Sequence, residues 1–189
     1  MFDLEYLKPD FTLFVLMINV FYPLPELSTE RLFLRQLKPT DRNAIYTLRN
    51  DASVNAYIDR PGKTTIEEAE KFIVKINTSI ENNQSLYWAV TLKGSDNLIG
   101  TICLWNISVE ENKVEIGYEL MQGQQGKGLM QEALRRVVDY AFETMYVKRI
   151  EAYTHKDNKR SEKLLLNNNF RQEGAVADNE MEIIFVLEK

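Results

Sequence analysis

The run GYELMQGQQGKGLMQEAL, Gly117–Leu134, carries three glycines within six residues, at Gly123, Gly126 and Gly128. They stand between a strand-like run and a helix-like run. A helix N-terminus presents unpaired N–H groups and about half a positive charge. A glycine-rich entry lets a phosphate approach that backbone closely, and Lys127 with Arg135 or Arg136 adds charge. The chemistry these residue types suit is phosphate binding. Two phosphate motifs fail on spacing. The P-loop requires Lys and then Ser or Thr where Leu129 and Met130 stand, and the dinucleotide fingerprint requires a third glycine at Gln131. A glycine-rich connector without a ligand is the competing reading.

Two carboxylates precede the loop on the same strand-like run. Under strict alternation Val114, Ile116, Tyr118 and Leu120 share one face, and Glu115 and Glu119 share the other. A carboxylate at such a place suits proton abstraction. It equally suits a solvated face or an ion pair, and a bulge would break the face argument.

The elements that must position these groups follow from periodicity and punctuation. Arg31–Leu37 alternates as a strand. Pro39-Thr40-Asp41 starts a helix, with Thr40 as N-cap, running to about Arg49 and burying Ile45 and Leu48. Asp59–Lys63 is a turn. Thr65 caps a second helix, whose early Glu67, Glu68 and Glu70 suit the helix dipole and whose apolar stripe is Phe72, Ile73, Ile76 and Ile80. Leu86–Leu92, Leu98–Ile107 and Lys113–Met121 have connections too short for parallel crossovers, so they form an antiparallel meander. A helix spans Leu129 to about Met145, with Met130, Leu134, Val137, Val138, Ala141 and Met145 at helical spacing. A strand at Arg149–Thr154, a helix at Asn158–Asn168 and a strand at Met181–Leu187 complete the chain. The fold class expected is α/β (an α+β mixed sheet), a central, mostly antiparallel sheet with helices on its faces.

Bulk properties narrow the function. The chain has 189 residues, 44% hydrophobic and 27% charged, as for one soluble domain with an optional appendage. One cysteine, Cys103, fits a reducing compartment, so a cytoplasmic location is expected. Cys103 sits in an apolar run, and with His155 as the one histidine there is no zinc-type ligand set. A net charge of −5 and a pI near 5.1 argue against non-specific nucleic-acid binding and are compatible with a cationic substrate. Residues 1–22 read as an N-terminal apolar extension and 23–189 as a single domain, separated by Pro23-Leu24-Pro25. The run Phe11–Tyr22 is too short to cross a membrane and lacks the basic leader of a secretory signal. It reads as a packed element, with a homodimer contact as the alternative, and Met17 could be the natural start.

The stretch EIGYELMQGQQGKGLMQEAL, followed by FETMYVKRIEAYTHKDNKRSEKLLLNNNF, resembles the GNAT superfamily of acyl-CoA-dependent N-acetyltransferases. Within it the chain is similar to the branch that contains ribosomal-protein N-terminal acetyltransferases. The likeness runs from about Leu27 to Leu187 and rests on the G-K-G loop followed by E-A-L. It also rests on an N-x-x-S pattern at Asn158, Ser161, Leu165 and Phe170.

The resemblance implies a GNAT-like fold in which two strands splay and hold acetyl-CoA, the co-substrate, without a metal. Gln124, Gln125, Gly126, Lys127, Gly128, Leu129 and Met130 would wrap the pyrophosphate of coenzyme A. Leu120 and Met121 would end the strand that splays from Ile150–Thr154, with the pantetheine arm between. Asn158 would lie near that arm and Ser161 near the departing thiolate, although Ser161 also suits a helix cap. Many relatives have a tyrosine acid where Leu165 stands, and leucine cannot donate a proton. Gln or Arg often stands where Gly123 is, and Asn169 replaces a glycine at a left-handed helix end.

The implied activity is acetyl transfer to a primary amine by direct attack. The base candidates are Glu115 and then Glu119, and a strand-edge N–H near Met121 is the oxyanion donor. Tyr57, Trp88 and Trp105 are candidates for the acceptor pocket, with the core as their alternative place. The acceptor is a protein N-terminus or a small-molecule amine. The alternative of another class is a non-catalytic acyl-CoA sensor or scaffold of the same fold.

Overall fold

The computed structural model describes residues 21–58, 60, 62–176 and 179–189. Most of the run Phe11–Tyr22 and part of the turn at Asp59–Lys63 therefore lie outside the described residues. From Phe21 onward the chain is integral to the domain. Phe21 is buried in the main core, and its N–H donates to Asn83 Oδ1 at 3.1 Å.

Among the described residues, eight strands form one sheet in the order β1-β2-β3-β4-β5-β6-β8-β7. They are β1 (Leu27–Ser28), β2 (Leu32–Arg35), β3 (Leu86–Leu92), β4 (Leu98–Ser108), β5 (Lys113–Leu120), β6 (Arg149–His155), β7 (Arg171–Val176) and β8 (Asn179–Glu188). Every neighbouring pair is antiparallel except β5 with β6. The helices are α1 (Arg42–Asn50), α2 (Ala52–Asn55), α3 (Ile66–Glu81), α4 (Leu129–Glu143) and α5 (Lys159–Leu166).

The sheet has a core on each face. Leu32, Leu34, Trp88, Val90, Ile102, Leu104, Val114 and Ile116 meet Ala133, Leu134 and Val137 of α4 and Leu165 of α5 in the larger one. Leu37, Ile45, Ala69, Ile73, Ala89 and Leu98 form the smaller one under α1 and α3. Strand alternation produces this division, since successive side chains point to opposite faces.

Local chemistry sets the helix starts. Thr65 and Glu68 close a capping box, with Glu68 N–H on Thr65 Oγ1 at 3.2 Å and Thr65 N–H on Glu68 Oε2 at 2.7 Å. Thr40 is not an N-cap. Pro39–Asp41 form a 3-10 turn, and Asp41 turns back to accept the Lys38 N–H at 2.7 Å. Asp41 is drawn inward by Arg35, whose guanidinium holds both carboxylate oxygens at 2.8 Å. The ion pair is buried, with 3% and 5% of the two side chains exposed.

Candidate active site

The site is built where β5 and β6 part. Lys113, Val114 and Glu115 pair in parallel with Arg149, Ile150 and Glu151, and the pairing ends there. β5 continues to Leu120 on its β4 partner, and β6 continues to His155 on its β8 partner. A wedge opens between them with Glu115 and Glu151 at its apex.

Backbone polarity in the wedge follows from the antiparallel ladder. Met121 N–H donates to Ile99 O at 2.9 Å. Residues in step with it turn their amides toward β4, and alternate residues turn theirs away. Ile116, Tyr118 and Leu120 therefore present N–H and C=O groups toward the wedge. The Met121 N–H itself is engaged, and the strand-edge N–H near it that faces the wedge is that of Leu120, one residue earlier. The Leu120 carbonyl accepts from Gln125 Nε2 at 2.9 Å, and Gln125 Oε1 accepts from Arg160 Nη1 on α5 at 2.7 Å.

The glycine loop lies beyond Leu120. Gln122–Gln124 make a 3-10 turn, and Gly126 and Gly128 have φ of 77° and 74°. Such left-handed backbone strongly favours glycine. Gly128 is the N-cap of α4, so the first-turn amides after it have no partner within the helix. The loop is braced from the turn between β1 and β2. Arg31 Nη1 donates to Lys127 O at 3.0 Å, Arg31 Nε donates to Glu132 Oε2 at 2.6 Å, and Arg31 N–H donates to Glu132 Oε1 at 2.8 Å. Thr29 Oγ1 also donates to Glu132 Oε1.

A diphosphate fits this frame. Left-handed glycines, a helix N-terminus, Lys127 and Arg160 converge at one end of a cleft whose other wall offers strand amides. Leu129 and Met130 open α4 and are buried in the core, so they can contribute backbone N–H groups rather than side chains. Gln124 accepts from Lys127 Nζ at 3.1 Å.

The two strand carboxylates face the α1/α3 side but differ in environment. Glu115 stands opposite Trp105 of β4, and Asn106 Nδ2 donates to Glu115 Oε2 at 3.4 Å. Burial pushes its carboxyl up to about 7, and the Glu151 and Glu182 carboxylates reinforce the rise against the Asn106 and Trp105 hydrogen bonds. Glu119 is held in an ion pair by Arg60, whose Nη1 also donates to Asn55 Oδ1 at 2.7 Å. The other Glu119 oxygen, Oε2, is buried and has no hydrogen-bond partner among the described residues.

The aromatic candidates separate. Trp105 is 46% exposed beside Glu115, and Tyr57 stacks on His155 at the open end of β6, with ring centroids 5.2 Å apart. Trp88 does not line a pocket. It is fully buried, donates to Pro25 O at 2.7 Å and packs edge-on against Tyr140.

Asn158 caps α5, its Oδ1 accepting Ser161 N–H at 3.2 Å. Ser161 is therefore not the cap. Its hydroxyl instead meets Tyr118 OH at 2.7 Å. Sequence reading missed Arg31, Tyr118, Arg60 and Arg160. The Arg31–Glu132 contact spans 101 positions, and no local pattern signals it.

Comparison with known proteins agrees with this frame. Residues 31–171 match the family model described as an acetyltransferase (GNAT) domain. The chain is 34% identical to the N-acetyltransferase p20 of Bacillus licheniformis over 155 residues, covering 82% of this chain and 86% of that protein. It is 28% identical to the [ribosomal protein uS5]-alanine N-acetyltransferase of Escherichia coli strain K12, covering 82% and 83%. Among solved structures, Mycobacterium smegmatis RimJ in complex with CoA-disulfide superposes with a TM-score of 0.78 at 18% identity, covering 87% of each chain. With the splayed strands and glycine loop in place and the match spanning most of the sequence, this chain belongs to the GNAT family and is an N-acetyltransferase.

Proposed function

We propose that the protein moves the acetyl group of acetyl-CoA to a primary amine in a ternary complex, with Glu115 as general base. The observation that carries the reading is the Glu115 carboxyl itself. It sits at the wedge apex and is tuned to about 7 by burial, which matches a proton acceptor working near neutral pH. Glu119, the second candidate, is engaged by Arg60 and is better suited to shaping the acceptor side. Tyr57 and Trp105, both part-exposed, bracket the same side.

Acetyl-CoA supplies an acyl group already activated as a thioester. Gln124, Gln125, Gly126, Lys127, Gly128 and the first amides of α4 would hold its diphosphate, and Leu120 with the edge of β5 would flank its arm. Asn158 would act indirectly, by fixing the start of α5. The Glu115 carboxylate takes the proton that the amine sheds, and the Leu120 N–H faces the cleft as a donor for a developing oxyanion.

The acceptor favoured is the terminal amine of a protein or peptide, because the E. coli relative is named for acetylating an alanine of ribosomal protein uS5. The test is a panel of peptide N-termini, polyamines, aminoglycosides and amino acids, with released thiol as the readout. A peptide N-terminus turned over best supports the reading; preference for a small amine overturns its acceptor assignment.

A further inference from the structure

Tyr118 lies three residues past Glu115, in the part of β5 that has left β6. Its ring packs against the main core, and its hydroxyl crosses to α5 to meet Ser161 Oγ at 2.7 Å. Packing alone does not call for that hydroxyl, since phenylalanine would fill the same volume. Capping does not call for Ser161 either, because Asn158 Oδ1 already accepts the Ser161 N–H. The polar pair is thus held beside the wedge by two elements, with no structural duty assigned to its hydroxyl groups. One turn further along α5, Leu165 is fully buried and apolar.

The phenol is a far stronger acid than an aliphatic alcohol, so the favoured direction is Tyr118 O–H donating to Ser161 Oγ. That leaves the Ser161 proton to point elsewhere. Resting on the acetyl-transfer reading above, we propose that Tyr118 is a positioning residue for the leaving sulfur: it orients the Ser161 hydroxyl so that this group donates a hydrogen bond to the departing thiolate. As the N–C bond forms, the C–S bond breaks and its electron pair goes to sulfur. The amine proton goes to the Glu115 carboxylate. Ser161 keeps its proton while hydrogen-bonding the thiolate, which is protonated by water after release. Burial pushes the Tyr118 phenol up to about 12, so it stays a donor at neutral pH.

The test needs no acceptor. Free coenzyme A is bound to the full chain and its thiol is titrated by thiolate absorbance, against the complex with desulfo-coenzyme A as the blank. Cys103 stays silent, because burial pushes its thiol up to about 12. The expected result is a bound-thiol pKa about one unit below that of free coenzyme A. Tyr118→Phe should lose most of that shift and Ser161→Ala all of it. The double variant should match Ser161→Ala, because Tyr118 acts through Ser161. Tyr118→Phe should also lower kcat about tenfold with KM for acetyl-CoA unchanged. A Tyr118→Phe complex that titrates like the parent overturns the proposal and leaves the transferase reading intact. A parent chain that binds no coenzyme A overturns that reading and the proposal with it.

Discussion

Glu115 on β5 stands opposite Glu151 on β6 in the last parallel pair before the two strands part. The two carboxylates share an apex and have different surroundings. Glu151 accepts from Arg149 Nε at 2.8 Å, from Lys113 Nζ at 3.5 Å and from the Tyr153 hydroxyl at 3.2 Å. Glu115 accepts a long hydrogen bond from Asn106, stands beside Trp105 and has a desolvated carboxyl. Paired acids whose environments differ take different roles. Here Glu151 is clamped, and Glu115 is the carboxylate proposed to exchange a proton.

Glu115→Gln keeps the shape and removes the proposed base. The expected outcome is a fall in kcat of about 100-fold or more, with acetyl-CoA affinity by titration calorimetry nearly unchanged, because the glycine loop lies at the far end of β5. An unchanged rate would assign the proton to another group.

The base must be ionised to work. The rate with saturating acetyl-CoA and low acceptor should rise with pH through about 7 and then level, and Glu115→Gln should flatten that limb. Stability should move the other way. The folded pKa is raised above the ordinary carboxylate value, so the folded state holds the extra proton between about 4.5 and 7. Stability falls as pH rises across that window. At pH 8 Glu115→Gln should therefore be more stable than the parent, by on the order of 1 kcal/mol after discounting for partial exposure. Thermal melts at pH 5 and pH 8 measure the difference.

Gly128 caps α4 with φ 74°. Alanine there costs about 1–2 kcal/mol of backbone strain, even though its Cβ would meet Arg31 Nη2 at an ordinary 3.5 Å. Gly128→Ala should weaken acetyl-CoA binding about tenfold and lower the melting temperature by a few degrees. Unchanged calorimetric affinity would remove the loop from the cofactor site.

Arg31 touches the loop from behind. Arg31→Ala frees the Lys127 carbonyl and leaves Glu132 without its guanidinium partner. Acetyl-CoA Kd should rise several-fold, about 1 kcal/mol, with kcat at saturation little altered. A kcat loss at unchanged Kd would contradict the bracing role.

Asp41→Ala leaves the Arg35 guanidinium buried without its carboxylate partner. Breaking a buried pair on one side costs about 3–5 kcal/mol, which a denaturant titration detects directly. The site lies on other strands, so kcat of the remaining folded protein should change little.

The fold was legible wherever apolar periodicity was strong. The β3–β4–β5 meander, the helix after the glycine loop and the Thr65 cap all follow from local pattern. β7 carries no signal in the sequence, since Arg171–Val176 is a largely exposed edge strand without apolar alternation. Thr40 is not the cap that its position suggests, because Asp41 turns back to Arg35 and the Lys38 N–H rather than opening a regular helix. In the site, alternation placed Glu115 and Glu119 on one face, while the left-handed backbone of Gly126 and Gly128, not shared by Gly123, is a feature of the folded loop. Trp88 is a core residue, and the Met121 amide is taken by Ile99, because burial and hydrogen-bond parity are set by β4 and α4 rather than by neighbours in sequence. Asn169 does adopt φ 65°, as its place after a helix end required.

The reaction proposed is amine-dependent cleavage of acetyl-CoA with Glu115 as base. The most direct measurement is thiol release from acetyl-CoA across the amine panel, for the parent and Glu115→Gln side by side, with calorimetric binding as a control. Amine-dependent release by the parent and about 100-fold less by the variant are expected, with equal acetyl-CoA affinity. Tight binding by the parent with no release for any amine would contradict the proposed reaction and make the chain an acyl-CoA sensor.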